Sequence, residues 1–136
     1  MAKESGIGWT KLEVDDGAGA AHDLKNDFMS LDISTPRATI EVTGLDKAAM
    51  ERILGLADAT LSGEIAFNPA ANQAHATFRT VASGTVTRTV ALEHSSQTLS
   101  MEMIPTTYDL GRDNSGELKG KVELVLSNGT APTWGP

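Results

Sequence analysis

Apolar and polar residues alternate in one segment after another, the period-two signature of strands with one buried face. The clearest run is Glu117 to Ser127: Leu118, Gly120, Val122, Leu124 and Leu126 fall on one side, and Glu117, Lys119, Lys121 and Glu123 on the other. A slip of one residue would bury four charges, so the register is strongly specified. Gly120 is the gap in the apolar face and reads as a bending or packing point. The same alternation groups Leu99, Met101 and Met103; Leu61, Ile65 and Phe67 around Gly63; Ala38, Ile40 and Val42; and Met29, Leu31 and Ile33. It also groups Val86, Val90 and Leu92, interrupted on that face by Arg88, and more weakly Trp9, Leu12 and Val14. The pattern predicts a mainly β chain of about seven strands.

Two segments break the alternation. In GLDKAAMERILGL, Asp46 can cap a helix, Leu45, Ala49, Ile53 and Leu54 supply an apolar stripe, and Gly55 can stop it. In NPAANQAHATFRTVAS, Asn68 is a cap, Pro69 takes the first helical position, and Ala71, Ala74, Phe78 and Val81 are spaced by three and four. Thr77, Thr80 and Val81 favour strand, which leaves one turn of helix leading into a strand as the alternative. One or two short helices therefore flank the sheet.

No repeat or linker divides residues 1–136, so a single domain is expected. Two polar stretches, residues 15 to 27 and 105 to 117, read as long connections. Loops of that length in a compact domain usually bind something or are disordered.

Composition narrows the classes. The 136 residues contain no cysteine, which removes disulfides, thiolate metal sites and a cysteine nucleophile. The charge balance is 11 − 18 = −7, and residues 1 to 33 carry seven acids against three lysines. Such a chain repels nucleic acid rather than holding it by phosphate neutralisation. The opening MAKESGIGWT lacks the apolar run of a signal peptide, and no stretch approaches a membrane span, so synthesis in the cytoplasm without a membrane anchor is expected.

Chemistry is sparse. His22, His75 and His94 show no chelating spacing with one another or with carboxylates. The acids from Asp109 to Asp113 lack the ligand order of a calcium loop, and the GxG fragments at Gly6–Gly8 and Gly17–Gly19 do not extend to a dinucleotide fingerprint. At 4% aromatic residues no stacking platform emerges. No enzyme activity, metal or cofactor is expected.

The order of features resembles the major tail tube proteins of long-tailed phages, of the siphophage type. The resemblance spans almost the whole chain: the GWTKLEVDD opening, FMSLDISTPRATIEVTGLDKAAMERILGL, SGEIAFNPAANQAHATFRTV, RTVALEH and above all LSMEMIPTTYDLGRDNSGELKGKVELVLSNGTAPTW. It implies a β-sandwich or partial barrel whose copies form hexameric rings stacked into a tube. Sheets of neighbouring subunits would join edge to edge, and a long loop or hairpin with terminal arms would connect the rings. It further implies a virion tail protein made in the bacterial host, with DNA passing through the lumen unbound and a tape measure protein and a tail terminator as partners.

On that basis Asp15, Asp16, Asp23, Lys25, Tyr108, Asp109, Arg112 and Asp113 are the expected inter-subunit loop residues. Glu64, Glu102, Glu117 and Glu123 are candidates for an acidic lumen wall that keeps DNA from adhering. Deleting residues 106 to 114 is then expected to leave a folded subunit unable to stack. The competing readings are the inner tube of a contractile injection machine and a monomeric β-sandwich binding module.

Overall fold

The computed structural model describes residues 3–136; Met1 and Ala2, the start of the segment read for a signal peptide, lie outside the described residues. In chain order the elements are β1 (Lys11–Asp15), β2 (Ala21–Asp23), β3 (Phe28–Ser34), β4 (Arg37–Glu41), β5 (Arg52–Ala57) and β6 (Thr60–Ala66). There follow α1 (Ala74–Phe78), β7 (Arg88–His94), β8 (Gln97–Arg112), β9 (Leu118–Leu126) and β10 (Trp134–Gly135). All seven strands expected from alternation are present, and β2, β5 and β10 are added to them.

Eight strands form one antiparallel sheet in the order β2-β1-β7-β8-β9-β6-β3, with β10 on the flank of β8. The two strands at opposite ends of that order, β2 and β3, are joined by residues 24–27 alone. Four residues reach at most ~14 Å. The sheet must therefore roll until its ends nearly meet, giving a partial barrel. Inward residues of both halves meet in a single core, with Leu12, Val90, Met101, Val122, Leu61 and Ile65 among them.

The alternation in the sequence maps onto this roll. Gly120, Val122 and Leu124 are buried while Lys121 and Glu123 are exposed. Gly120 is indeed a packing point, since a Cβ there would lie 2.9 Å from Ile65 Cγ1 and 3.2 Å from Leu110 Cδ2. Gly63 is tighter still: a Cβ would collide with the Ser30 carbonyl oxygen and meet the Phe28 ring at 3.0 Å.

Strand β8 runs for 16 residues and serves both halves of the roll. Its first part pairs β7 up to Met103, and its second pairs β9 from Met103 to Arg112, with a bulge between Pro105 and Thr107. The bulge inserts Thr106 and reverses the side on which later residues fall. Tyr108 and Leu110 consequently turn toward the core side and Asp109 toward water.

Four expectations are corrected. Residues 105–117 are not a long loop: 105–112 are strand, and the turn is confined to 113–117. Residues 15–27 likewise contain β2 and two tight turns. The helix expected over 44–56 does not form, and residues 52–57 are instead β5, paired antiparallel with β4. The other expected helix exists only as α1, which begins after Gln73 rather than at Pro69.

A buried carboxylate explains that later start. Asp27, 2% exposed, accepts hydrogen bonds from Ala74 N at 2.9 Å and from Asn68 Nδ2 at 2.8 Å. An acceptor from a distant turn thus takes one of the free amides of the first turn, the role a local cap would otherwise fill.

Candidate assembly surface

Strands β3 and β6 do not end where the sheet ends. Ser34 pairs Thr60 and Arg37 pairs Ala57 in one unchanged register, and Asp58 N donates to Pro36 O between them at 3.0 Å. Residues 28–66 are therefore one long hairpin whose outer part, β4–β5, leaves the core. Pro36 at the junction has no N–H to donate, and a bulge follows near Gly55.

This outer hairpin exposes Ile40, Val42, Leu45, Met50, Ile53, Leu54 and Leu56, the last at 87%. No residue of β4 or β5 belongs to the core. A two-stranded ribbon is marginal by itself in water, and so many large apolar groups on one projection mark a contact surface.

A second surface lies on the half-sheet β3-β6-β9-β8. Its water side carries cross-strand rows: Asp109 opposite Lys121 opposite Glu64, and Thr107 opposite Glu123 opposite Ser62 opposite Asp32. Four acids face two bases, Lys119 and Lys121, on this side. Glu64 and Glu123 share it, Glu117 stands at the hairpin tip beside Lys119, and Glu102 lies on the first part of β8, where it accepts from Thr89 Oγ1 at 3.3 Å. The half-sheet has two open edges. Among the described residues, β3 pairs only β6, and residues 104–112 of β8 pair only β9.

The eight expected loop residues fall in two places. Asp15, Asp16, Asp23 and Lys25 sit around β2. Asp15 accepts from Thr89 N at 3.3 Å, and Lys25 Nζ donates to Asp23 at 2.9 Å. Asp109, Arg112 and Asp113 are exposed along the end of β8 and its turn, whereas Tyr108 packs inward and shares a 2.9 Å hydrogen bond with His75 Nδ1. Burial raises the Tyr108 pKa. Deletion of 106–114 would consequently remove half of β8 and a core-packed tyrosine, so the expectation that such a subunit stays folded is withdrawn.

The Asp113 turn is built rather than loose. Its Oδ1 accepts from Ser115 N at 3.0 Å, Ser115 Oγ at 2.6 Å and Glu117 N at 3.3 Å, and Lys119 Nζ lies 3.9 Å from its Oδ2.

Asp16 organises the other turn. It accepts from Ala20 N at 3.0 Å, Ala18 N at 2.8 Å and His22 Nε2 at 2.8 Å. The Ala20 amide foremost, with His22 and the Ala18 amide, holds its pKa down to about 2 against the opposing effect of desolvation. A depressed carboxylate stabilises the fold above the unfolded pKa, and that contribution is lost as pH falls through the folded value. Asp16→Asn is expected to lower stability by about 1 kcal/mol at neutral pH, discounted because the turn is open to solvent. Melting curves of the two proteins should converge as pH drops from about 4 toward 2; a gap unchanged over that interval would overturn the assignment.

The described residues contain no group of three or more His, Asp or Glu placed to hold a metal. No helix is long and apolar enough to cross a membrane.

No family model matches the chain, and comparison with curated proteins finds no relative. Solved structures do match. A chain from the virion of a native gene transfer agent particle superposes with a TM-score of 0.75 at 16% identity, covering 98% of this chain and 100% of its own. A chain from the tail of an empty gene transfer agent particle, refined helically with C6 symmetry, gives 0.70 at 18% identity, covering 98% and 100%. A chain from the sheath/tube terminator of an extracellular contractile injection system (PVC), in the extended state, gives 0.62 at 14% identity, covering 99% and 100%. The rolled sheet, its projecting hairpin and its short helix are thus the tail tube fold, shared over nearly the full length of the chain.

Proposed function

We propose that this chain is a structural subunit that assembles with copies of itself into stacked hexameric rings, forming the tail tube of a virion through which DNA is ejected. The single observation carrying this reading is the half-sheet β3-β6-β9-β8 with an open edge on each side. An open edge invites pairing, and two different edges on one subunit pair head to tail, which closes a ring when the rotation per copy permits.

Six copies, the symmetry of the gene transfer agent tail, would supply ~24 strands. At ~4.8 Å spacing they span ~115 Å of circumference, a backbone diameter of ~37 Å before strand tilt widens it. A bore of that size, less a layer of side chains, admits a double helix. The water side of the half-sheet then lines the lumen, with Glu64, Glu123, Asp32 and Asp109 as its acids and Glu117 at the rim. Like charge keeps phosphates off the wall.

The apolar hairpin β4–β5 stacks one ring on the next. Asp109, Arg112 and Asp113 lie along the β8 edge, where they set the ring contact, while Asp15, Asp16, Asp23 and Lys25 contact neighbours from the β2 end. A tape measure protein inside the tube and a terminator at its end are the further partners of this reading, with the tail as the site of residence after synthesis in the host cytoplasm. The likeness to a contractile-system chain supports a second version in which the tube carries a sheath; binding of sheath subunits to preformed tubes separates the two.

Negative-stain imaging of the purified protein across a concentration series tests the proposal. Tubes with an axial hole are expected. A protein that remains monomeric at every concentration, even when seeded with tube fragments, would remove it in favour of a binding module.

A further inference from the structure

One segment outside both surfaces stands beside the open edge of β3. Residues 3–10 precede β1 and run across the turn between β7 and β8. His94 Nε2 donates to Ser5 O at 3.0 Å, Glu4 accepts from Ser95 Oγ, and the Trp9 ring stacks on His94 at 5.0 Å. Thr10 continues the contact, donating N to Glu93 O at 3.1 Å. Between this segment and β3 lies a cleft of about 410 Å³, with Gly6 and Trp9 on one side and residues 28–31 of β3 on the other. The free amides and carbonyls of the β3 edge therefore belong to the strand that borders this cleft, and residues 3–10 help wall it.

We infer that residues 3–10 form an autoinhibitory strap that gates the β3 edge, so that a second copy's β8 edge can pair there only after the strap swings aside. The inference rests on the ring-closure reading and adds its control. An incoming strand must lie ~4.8 Å from β3 and needs room for side chains on both of its faces. Gly6 and Trp9 wall the cleft opposite residues 28–31, so a strand laid there with its side chains would meet them.

The strap is also made to let go. Because a carbonyl only accepts, the Ser5 contact places a proton on His94 Nε2, while the other ring nitrogen, Nδ1, is buried without a partner. A buried unpaired polar nitrogen opposes the latched state, and release into water satisfies it. The occupant of the cleft is a second copy of this chain. Among the described residues, the β8 run 104–112 is an open edge as long as β3, and it belongs to the same half-sheet.

The chain has no cysteine, so a Glu4→Cys/Ser95→Cys pair, oxidised in dilute monomer and selected by its single-chain mass in non-reducing electrophoresis, carries the strap cross-link alone. Oxidised, with the strap locked, this full-length protein should remain monomeric at concentrations where its reduced form and the wild type build tubes; adding reductant should restore assembly. His94→Ala, which removes the latch without a cross-link, should shorten the lag before assembly several-fold. Oxidised protein that assembles like reduced protein, or a His94→Ala lag equal to or longer than wild type, overturns the strap while leaving the tube reading intact. Absence of tubes from wild type and both variants overturns the tube reading and the strap with it.

Discussion

Leu54→Glu combined with Leu56→Glu is expected to abolish tube formation while leaving the subunit folded. Both side chains are exposed in the free subunit and sit on a hairpin that contributes nothing to the core. Unfolding should therefore change little, within the ~0.5 kcal/mol typical of surface positions. Assembly should change greatly. Each leucine buried at a ring-to-ring contact is worth ~1.5–3 kcal/mol, and 1.4 kcal/mol is tenfold in affinity, so the pair raises the critical concentration ~100-fold or more. Placing carboxylates in an apolar contact adds desolvation on top of that loss. The measurement is tube yield by sedimentation, read beside a thermal melt. Tubes at the wild-type concentration from a folded double variant would take the hairpin out of the stacking contact.

Arg88→Ala acts in the opposite sense, on the fold before assembly. Arg88 is 1% exposed, within the apolar face of β7. One guanidinium nitrogen donates to the Thr77 carbonyl and the other to Thr80 Oγ1 at 3.0 Å, while its carbon sits 6.0 Å from the centre of the Phe78 ring. The side chain thus pins α1, too short to be stable alone, against the sheet. Burial lowers its pKa, an effect that Asp16 and Asp15 oppose. Among the described residues no carboxylate lies within ion-pair distance of it, and its Nε is buried without a partner.

Truncation removes the long packed stem and leaves the Thr77 carbonyl unpaired. A loss of about 3–5 kcal/mol is expected, equivalent to ~10 °C or more in melting temperature for a chain of this size. Arg88→Met should lose less than half as much, because both variants give up the guanidinium and its hydrogen bonds but methionine refills the space that alanine leaves empty. Equal losses for the two variants would show that the hydrogen bonds, not the packing, hold the helix.

The seven alternating strands were legible because burial of one face is enforced residue by residue, and period-two spacing records it locally. Even the irregularities kept meaning: Gly120 was read as a packing point and proves to be one. The helix misread at 44–56 shows where such reading stops. Leu45, Ala49, Ile53 and Leu54 have helical spacing, yet none is buried in the subunit. With all four exposed, the rule that apolar spacing reveals the buried face had nothing within the subunit to act on. Strand β5 exists because β6 continues through Asp58 in the register of β3, a pairing between residues too far apart in sequence for any local window to see.

The polar stretch at 105–117 misled for a related reason. Half of a strand with one face in water and one edge open carries few buried residues, and its composition is that of a loop. The bulge that turns Tyr108 inward leaves no mark in the spacing, since a single inserted residue looks like lost alternation. Arg88 stood out in the sequence as an interruption, but its role required Thr77, Thr80 and Phe78 to be folded beside it.

By itself, then, the sequence determined the strand class, the inward faces, the lack of cysteine chemistry and the acidity, because each depends on residue type and short spacing. The tertiary structure alone decided the roll of the sheet, the two open edges, the projecting apolar hairpin and the pinned helix. Those arise from pairings between distant segments, whose free energy is set by where chain entropy and burial balance over the whole domain.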